Sequence, residues 1–303
     1  MEGFLSIGEA VNKYIDSCES KVNASPVKLF VKAVFAGMMI AMGAAASSVA
    51  AYAIDNVGIS RLAAAVVFPV GLMMVILLGA ELFTGDCLMI MATASEKHSP
   101  LQLVRTLAIV FAGNFVGAVL TAVAVAASGQ LDYSAGLLGA YTIKVALGKA
   151  TISTSRAVVS GVLCNILVCA AVLMALCAKD IAGKILAAFF TIMLFVVAGF
   201  EHCVANMYYI AAGMVAAVNP NYSQVAMQQY GYTVEQFSVL NWQHFLLGNL
   251  VPVTIGNIIG GMFIIGLPLL YLNREQKTES YTEKEERHER NILFGRNTAS
   301  AGH

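Results

Sequence analysis

Charge is what this chain has least of: only 12% of its 303 residues are Asp, Glu, Lys or Arg, and the formal net charge is zero. An ordinary soluble domain carries roughly a quarter charged residues, so this composition excludes one. No basic stripe with interleaved aromatics occurs, which leaves nucleic acid without an electrostatic footprint. Residues 1–25 hold no basic segment followed by a short apolar core, so a cleaved signal peptide is not expected. The six cysteines (Cys18, Cys87, Cys164, Cys169, Cys177 and Cys203) form no CxxC pair and lie mostly in apolar stretches. They read as small buried hydrophobes, not as a disulfide or zinc framework. HExxH is also absent, and Glu201-His202 in that order puts the two side chains on different faces, so no metal or cofactor is expected.

What is present is apolar sequence: 58% hydrophobic residues and a mean hydropathy of +0.75. Residues 1–25 alternate Phe4, Ile7, Ala10, Val11, Tyr14, Ile15 and Cys18 with charged residues at helical period, the pattern of an amphipathic interfacial helix. Six apolar runs follow, each able to cross the roughly 30 Å hydrocarbon layer. They cover residues 27–54, 62–94, 101–128, 157–178, 185–218 and 242–272. The second is cut at Thr84-Gly85-Asp86 and the fifth at Glu201-His202. Residues 130–153, with Lys144 and Lys149, read as an outer loop that partly folds back, and 219–241 as a polar, tyrosine-rich loop. The chain thus divides into an amphipathic cytoplasmic helix (1–25), a six-span domain (26–272) and a charged cytoplasmic tail (273–303).

The basic residues give the orientation. Lys13, Lys21, Lys28, Lys32, Lys97, Arg105, Lys179, Lys184 and the six basic residues of the tail fall on one side, whereas Arg61, Lys144, Lys149 and Arg156 fall on the other. By the positive-inside rule both termini are cytoplasmic. In both halves the middle span carries a polar break and the next span a Gly-Asn step. Three spans repeated are necessarily inverted, which places discontinuous helices two and five at a repeat interface near the midplane. The expected fold is an all-α membrane protein with an inverted 3+3 repeat.

An ionisable residue inside a span is a functional hypothesis by default, so His202 is the first candidate for lining a pathway. Glu201 reads as an orienting group for the break. Asn114, Asn249 and Asn257, amides beside glycines in lipid, need partners, and backbone groups freed by the breaks would supply them. Thr84 could hydrogen-bond a small permeant near His202 or satisfy its own freed backbone. Lys149, with Asn165, could bias the site toward anions if the outer segment folds inward, or be a surface lysine.

With Leu82-Phe-Thr-Gly85, Gly199-Phe-Glu-His-Cys-Val-Ala-Asn-Met207 and Gly248-Asn-Leu-Val-Pro-Val-Thr-Ile-Gly-Asn-Ile-Ile-Gly-Gly261, the sequence resembles the formate/nitrite transporter family over residues 25–272. That resemblance implies small-anion channels with an aquaporin-like fold, assembled as homopentamers in the cell (inner or plasma) membrane, each protomer with its own pore. Within the family it looks most like the hydrosulfide channel branch, partly through Thr84-Gly85-Asp86 where formate channels tend to have Thr-Ser. By motif, His202 matches the central pore histidine, Thr84 the Ω-loop threonine, and Lys149 and Asn165 the polar pair near the histidine. Phe68, Leu72 and Phe195 match the outer hydrophobic constriction, Leu82 and Val168 the inner one.

A bare anion in a dry constriction is heavily penalised, so the expected permeant is a monovalent anion that is protonated or strongly hydrogen-bonded at His202. Hydrosulfide is favoured because its first ionisation lies near neutral pH; formate and nitrite are the alternatives, including a formate-specific channel of the same fold. A membrane-embedded enzyme using Glu201 and His202 would need a nucleophile or metal set that the scattered cysteines do not supply. A receptor or structural protein would leave the two polar breaks unexplained.

Overall fold

The computed structural model describes residues 3–273. The tail expected beyond Asn273 therefore lies outside the described residues. Ser6 and Glu9 start helix α1 (Ile7–Val22) with a capping box, and its apolar stripe of Val11, Tyr14, Ile15 and Cys18 is buried against the rest of the chain. Leu5 N donates to Cys177 O (2.8 Å) just before this helix.

Ser25 caps and Pro26 opens α2 (Pro26–Ala51). There follow α3 (Val57–Leu78), which bends at Phe68-Pro69, the half-helix α4 (Phe83–Ala94) and α5 (Pro100–Ala127). Next come α6 (Tyr133–Ala150), α7 (Thr154–Cys177), α8 (Ile181–Ala198), the half-helix α9 (Cys203–Ala217), α10 (Pro220–Tyr230) and α11 (His244–Asn273). Six of these, α2, α3, α5, α7, α8 and α11, are long and apolar enough to cross a membrane. The described residues form an all-helical, multi-pass membrane domain.

The two halves pack alike, through small residues that let backbones touch where lipid offers no hydrophobic contrast. A Cβ on Gly117 of α5 would overlap the backbone of Val34 on α2, and one on Gly260 of α11 would overlap the backbone of Val162 on α7. Gly37 meets the backbone of Asn114 in the same way. These contacts bring Asn114 and Asn257 to the level of the two breaks.

Three expectations are corrected. The break in span two lies at residues 79–82; Thr84, Gly85 and Asp86 already belong to the resumed helix. Gly79 ends α3 in the left-handed region, and the chain is non-helical to Leu82, which is extended (φ −114°, ψ 121°), before Phe83 re-enters a helix. Residues 130–153 are not a loop that partly folds back: beyond the left-handed residues Ser134, Ala135 and Gly136, α6 is a helix packed on the rest of the chain, with its Ala146 against Gly213 of α9. Lysines at positions 144 and 149 lower its hydropathy without stopping the helix, because packing along its Gly/Ala face supplies the stability. The polar segment 219–241 contains α10, whose Tyr222 closes over Gly139 of α6.

Candidate functional site

Two four-residue breaks, Gly79-Ala80-Glu81-Leu82 and Gly199-Phe200-Glu201-His202, face each other across the repeat. Both glycines are left-handed (φ 65° and 75°). Leu82 and His202 then share one conformation, −114°/121° against −112°/117°. Each break frees backbone groups in the apolar interior, and in each half one asparagine from the third span satisfies two of them and ties them to a carbonyl of a neighbouring helix. Asn114 accepts from Phe83 N (2.9 Å) and donates to Ala33 O (2.8 Å) and Glu81 O (2.9 Å). Asn257 accepts from Cys203 N (2.9 Å) and donates to Gly161 O (2.8 Å) and Glu201 O (3.1 Å).

His202 occupies the N-cap of α9, where its Nδ1 accepts from Ala205 N at 3.0 Å. That bond occupies the Nδ1 lone pair, so in the neutral ring the proton sits on Nε2. Nε2 lies 2.9 Å from Thr84 Oγ1. The pair is buried, His202 at 3% exposure and Thr84 at 0%. The imidazole stacks on Phe195 (centroids 5.9 Å, 19° between planes), and Phe68 meets Phe195 edge-on at 5.6 Å.

A cavity of about 240 Å³ opens on one side of this pair, lined by Phe68, Phe195, His202 and Lys149 among others. A second, of about 220 Å³, opens on the α1 side and is lined by Leu72, Leu82, Lys21 and Asp86 among others. Leu72 thus borders the α1-side cavity with Leu82, not the chamber of Phe68 and Phe195. Val168 is buried and lines neither.

Lys149 is drawn inward, to both carboxylate oxygens of Glu201 (3.1 Å each) and over the Tyr209 ring (5.3 Å). Glu201 also accepts from Asn206 Nδ2 (2.6 Å), which donates to Asn249 Oδ1 (2.8 Å), and Asn249 in turn holds Lys149 O (2.9 Å). Asn165 does not join Lys149. Its amide donates to Thr84 O (3.1 Å) and Asn257 O (2.6 Å), which fixes the turn that presents the Thr84 hydroxyl.

The sequence reading missed the matching cluster in the other half. Lys21 of α1 contacts Glu81 (2.7 Å) and Asp86, and Lys32 reaches Glu81 (3.3 Å). Burial works against the Lys21 charge, but Asp86 and Glu81 outweigh it and hold the ammonium above the usual lysine range. Aligning the two octapeptides 79–86 and 199–206 pairs Glu81 with Glu201 and Asp86 with Asn206, a signal the sequence already contained.

The sequence profile described as formate/nitrite transporter matches residues 8–271. The chain belongs to that family. It is 34% identical over 270 residues to the formate channel FocA of Haemophilus influenzae, spanning 88% of this chain and 94% of that protein. FocA of Escherichia coli strain K12 is 33% identical over 249 residues, spanning 82% and 87%. A solved pentameric formate channel with formate bound superposes with a TM-score of 0.75 at 31% identity, over 82% of this chain and 98% of that one. A second structure, an FNT family ion channel, gives 0.70 at 26%, over 87% and 98%. As a formate/nitrite transporter the chain is a small-anion channel or transporter, not an enzyme.

Proposed function

We propose that the chain is a pentameric channel for monovalent anions of small weak acids, formate first, with the neutral imidazole of His202 and the Thr84 hydroxyl as its central station. The observation that carries this reading is the Thr84 Oγ1 to His202 Nε2 contact of 2.9 Å, walled by apolar side chains and flanked by two cavities. Nε2–H donates to Thr84 Oγ1 and leaves the Thr84 O–H as a second donor, a pair that suits an anion with two oxygens that takes the place of their mutual contact, and the similar proteins are named as formate channels. Hydrosulfide, with one acceptor atom, is the second reading; Gly85-Asp86 after Thr84 is the feature that favours it.

His202 acts here as a hydrogen-bond donor. An imidazolium needs protons on both nitrogens and would set Nδ1–H against Ala205 N–H, losing the cap of α9. The ring therefore steadies the anion through Nε2–H, and the proton that lets a weak acid cross the dry rings comes from elsewhere. The basic residues around the α1-side cavity, Lys21 and Lys184, orient that side and both termini to the cytoplasm, with residues 1–25 as an interfacial helix and 273–303 as a cytoplasmic tail.

Competitive flux of formate, nitrite and hydrosulfide in proteoliposomes tests the assignment. His202→Asn retains a helix-capping side chain but not Nε2–H. Losing a charge-assisted hydrogen bond of about 1.5–3 kcal/mol predicts a roughly tenfold or larger fall in formate flux with the pentamer intact. Unchanged flux in both His202→Asn and His202→Ala removes the central station, and a preference for hydrosulfide over formate in the wild type moves the substrate.

A further inference from the structure

The central imidazole is committed to the cap of α9, so the proton that neutralises a permeating anion needs another carrier. Asp86 is placed for that work. It lines the α1-side cavity together with the apolar side chains of Leu72 and Leu82. It is 2% exposed, and among the described residues its Oδ2 has no hydrogen-bond partner, whereas Oδ1 contacts Lys21.

The groups around it show why Asp86 is the exchangeable carboxyl. From the break, Glu81 shares the Lys21 ammonium and has Lys32 as a second cation, so it is the better compensated of the two. Glu81 does not line the cavity. From α1, Tyr14 donates its hydroxyl to Gly85 O (3.1 Å) and Cys18 its thiol to Tyr14 O (3.2 Å), so neither offers Asp86 a charge. From α7, the Cys169 thiol is turned to Thr84 O (3.4 Å), and on Asp86's own helix the Cys87 thiol is turned to Phe83 O (3.4 Å). Lys184 of α8 lines the same cavity. In the other half of the repeat the equivalent position is Asn206, an amide that cannot carry a proton, so the two mouths differ in this respect.

We propose that Asp86 exchanges a proton with the permeating anion at the α1-side mouth of the pore, with Lys21 as the group that sets its charge. The proposal rests on the channel reading above. When the neutral acid arrives from the centre, its O–H bond breaks, the proton passes to the Asp86 carboxylate and the anion leaves into the cavity. Asp86 then gives the proton to water there. In the opposite direction the protonated carboxyl hands its proton to the anion, which crosses the Leu72 and Leu82 side chains as the neutral acid.

The test uses full-length protein in vesicles of one orientation, with formate as the probe and the pH of each side set independently. In the wild type, flux depends on the α1-side pH. Asp86→Asn is expected to flatten that dependence at least fivefold while the response to the opposite pH persists, and Asp86→Glu to restore it. Flux in Asp86→Asn with the wild-type α1-side pH response overturns the proposal alone. A wild type that carries no small anion removes the channel reading, and the proposal with it. If Asp86→Asn does not assemble, Lys21→Gln decides: loss of the ammonium moves the midpoint of the α1-side profile upward by at least half a pH unit, and an unmoved midpoint overturns the assignment.

Discussion

Asn114 and Asn257 each satisfy one backbone N–H and one carbonyl that a broken helix leaves bare, donate to a carbonyl of a neighbouring helix as well, and are both 0% exposed. A buried polar group without a partner costs about 1–3 kcal/mol, so Asn257→Leu, which strands Cys203 N and Glu201 O, is expected to prevent assembly of the folded channel. Asn257→Asp keeps the acceptor for Cys203 N but loses both donors, and is expected to fold with a lowered thermal midpoint in detergent. A variant series in which the leucine and aspartate substitutions are equally mild would remove the supporting role. Residues of this kind were legible in the sequence because an amide or a histidine in an apolar run stands out. The joining of Lys21 to Glu81 and Asp86 was not, because Lys21 sits on a helix that also displays solvated charges and its partners lie more than fifty residues away in the chain. Only the fold brings the two carboxylates to one ammonium.

At the scale of elements, spans, order and the second break could be read from hydropathy, whereas the first break was displaced by a few residues. The polar letters Thr84-Gly85-Asp86 drew attention, but the geometry is set by Gly79, whose left-handed φ of 65° ends the helix four residues earlier than Phe83 resumes it. α6 escaped because two lysines mask a helix that is stabilised by neighbours and not by its own pattern. In α11 the stretches His244–Leu250 and Ile259–Gly266 are wound as π-helix on either side of Val251–Ile258, a detail with no sequence signature. Close packing of α2 on α5 gives a prediction at this scale. Gly117→Val puts side-chain atoms where the Val34 backbone lies, at a cost of about 1–3 kcal/mol or more, and should separate the two helices and displace Asn114. Gly148→Ala, in α6 with no atom within 4 Å of its new Cβ, should be neutral or stabilising by up to about 1 kcal/mol. Thermal unfolding of both variants in the same detergent checks the contrast, and equal losses would argue against helix contact as the cause.

Across the whole molecule the inverted repeat makes the two halves equivalent in backbone, and charge makes them different. On the side away from α1, the cavity before His202 and an outer cavity of about 440 Å³ share Arg61, Tyr141, Val145 and Lys149 as a common neck. Lys149 is neutralised there by Glu201, and Lys144 of the outer cavity lies over the Tyr230 ring at 4.5 Å. Among the described residues Arg61 has no ion-pair partner, so it supplies the uncompensated charge at the neck. A field of this kind raises the rate at which anions are captured and is screened by salt, the Debye length falling from about 30 Å at 0.01 M to about 8 Å at 0.15 M. Arg61→Gln is therefore expected to lower anion uptake from that side several-fold at low ionic strength, through the half-saturation concentration, and to converge on the wild type as salt rises. Lys149→Gln should behave differently. Removing one partner of a largely buried pair strands Glu201 at a cost of about 3–5 kcal/mol, so its signature is lost thermal stability with little salt dependence. Flux measured against salt, side by side with unfolding of the same preparations, separates a charge that recruits from a charge that holds the break together, and a salt-independent loss in Arg61→Gln would return the recruiting role to Lys149.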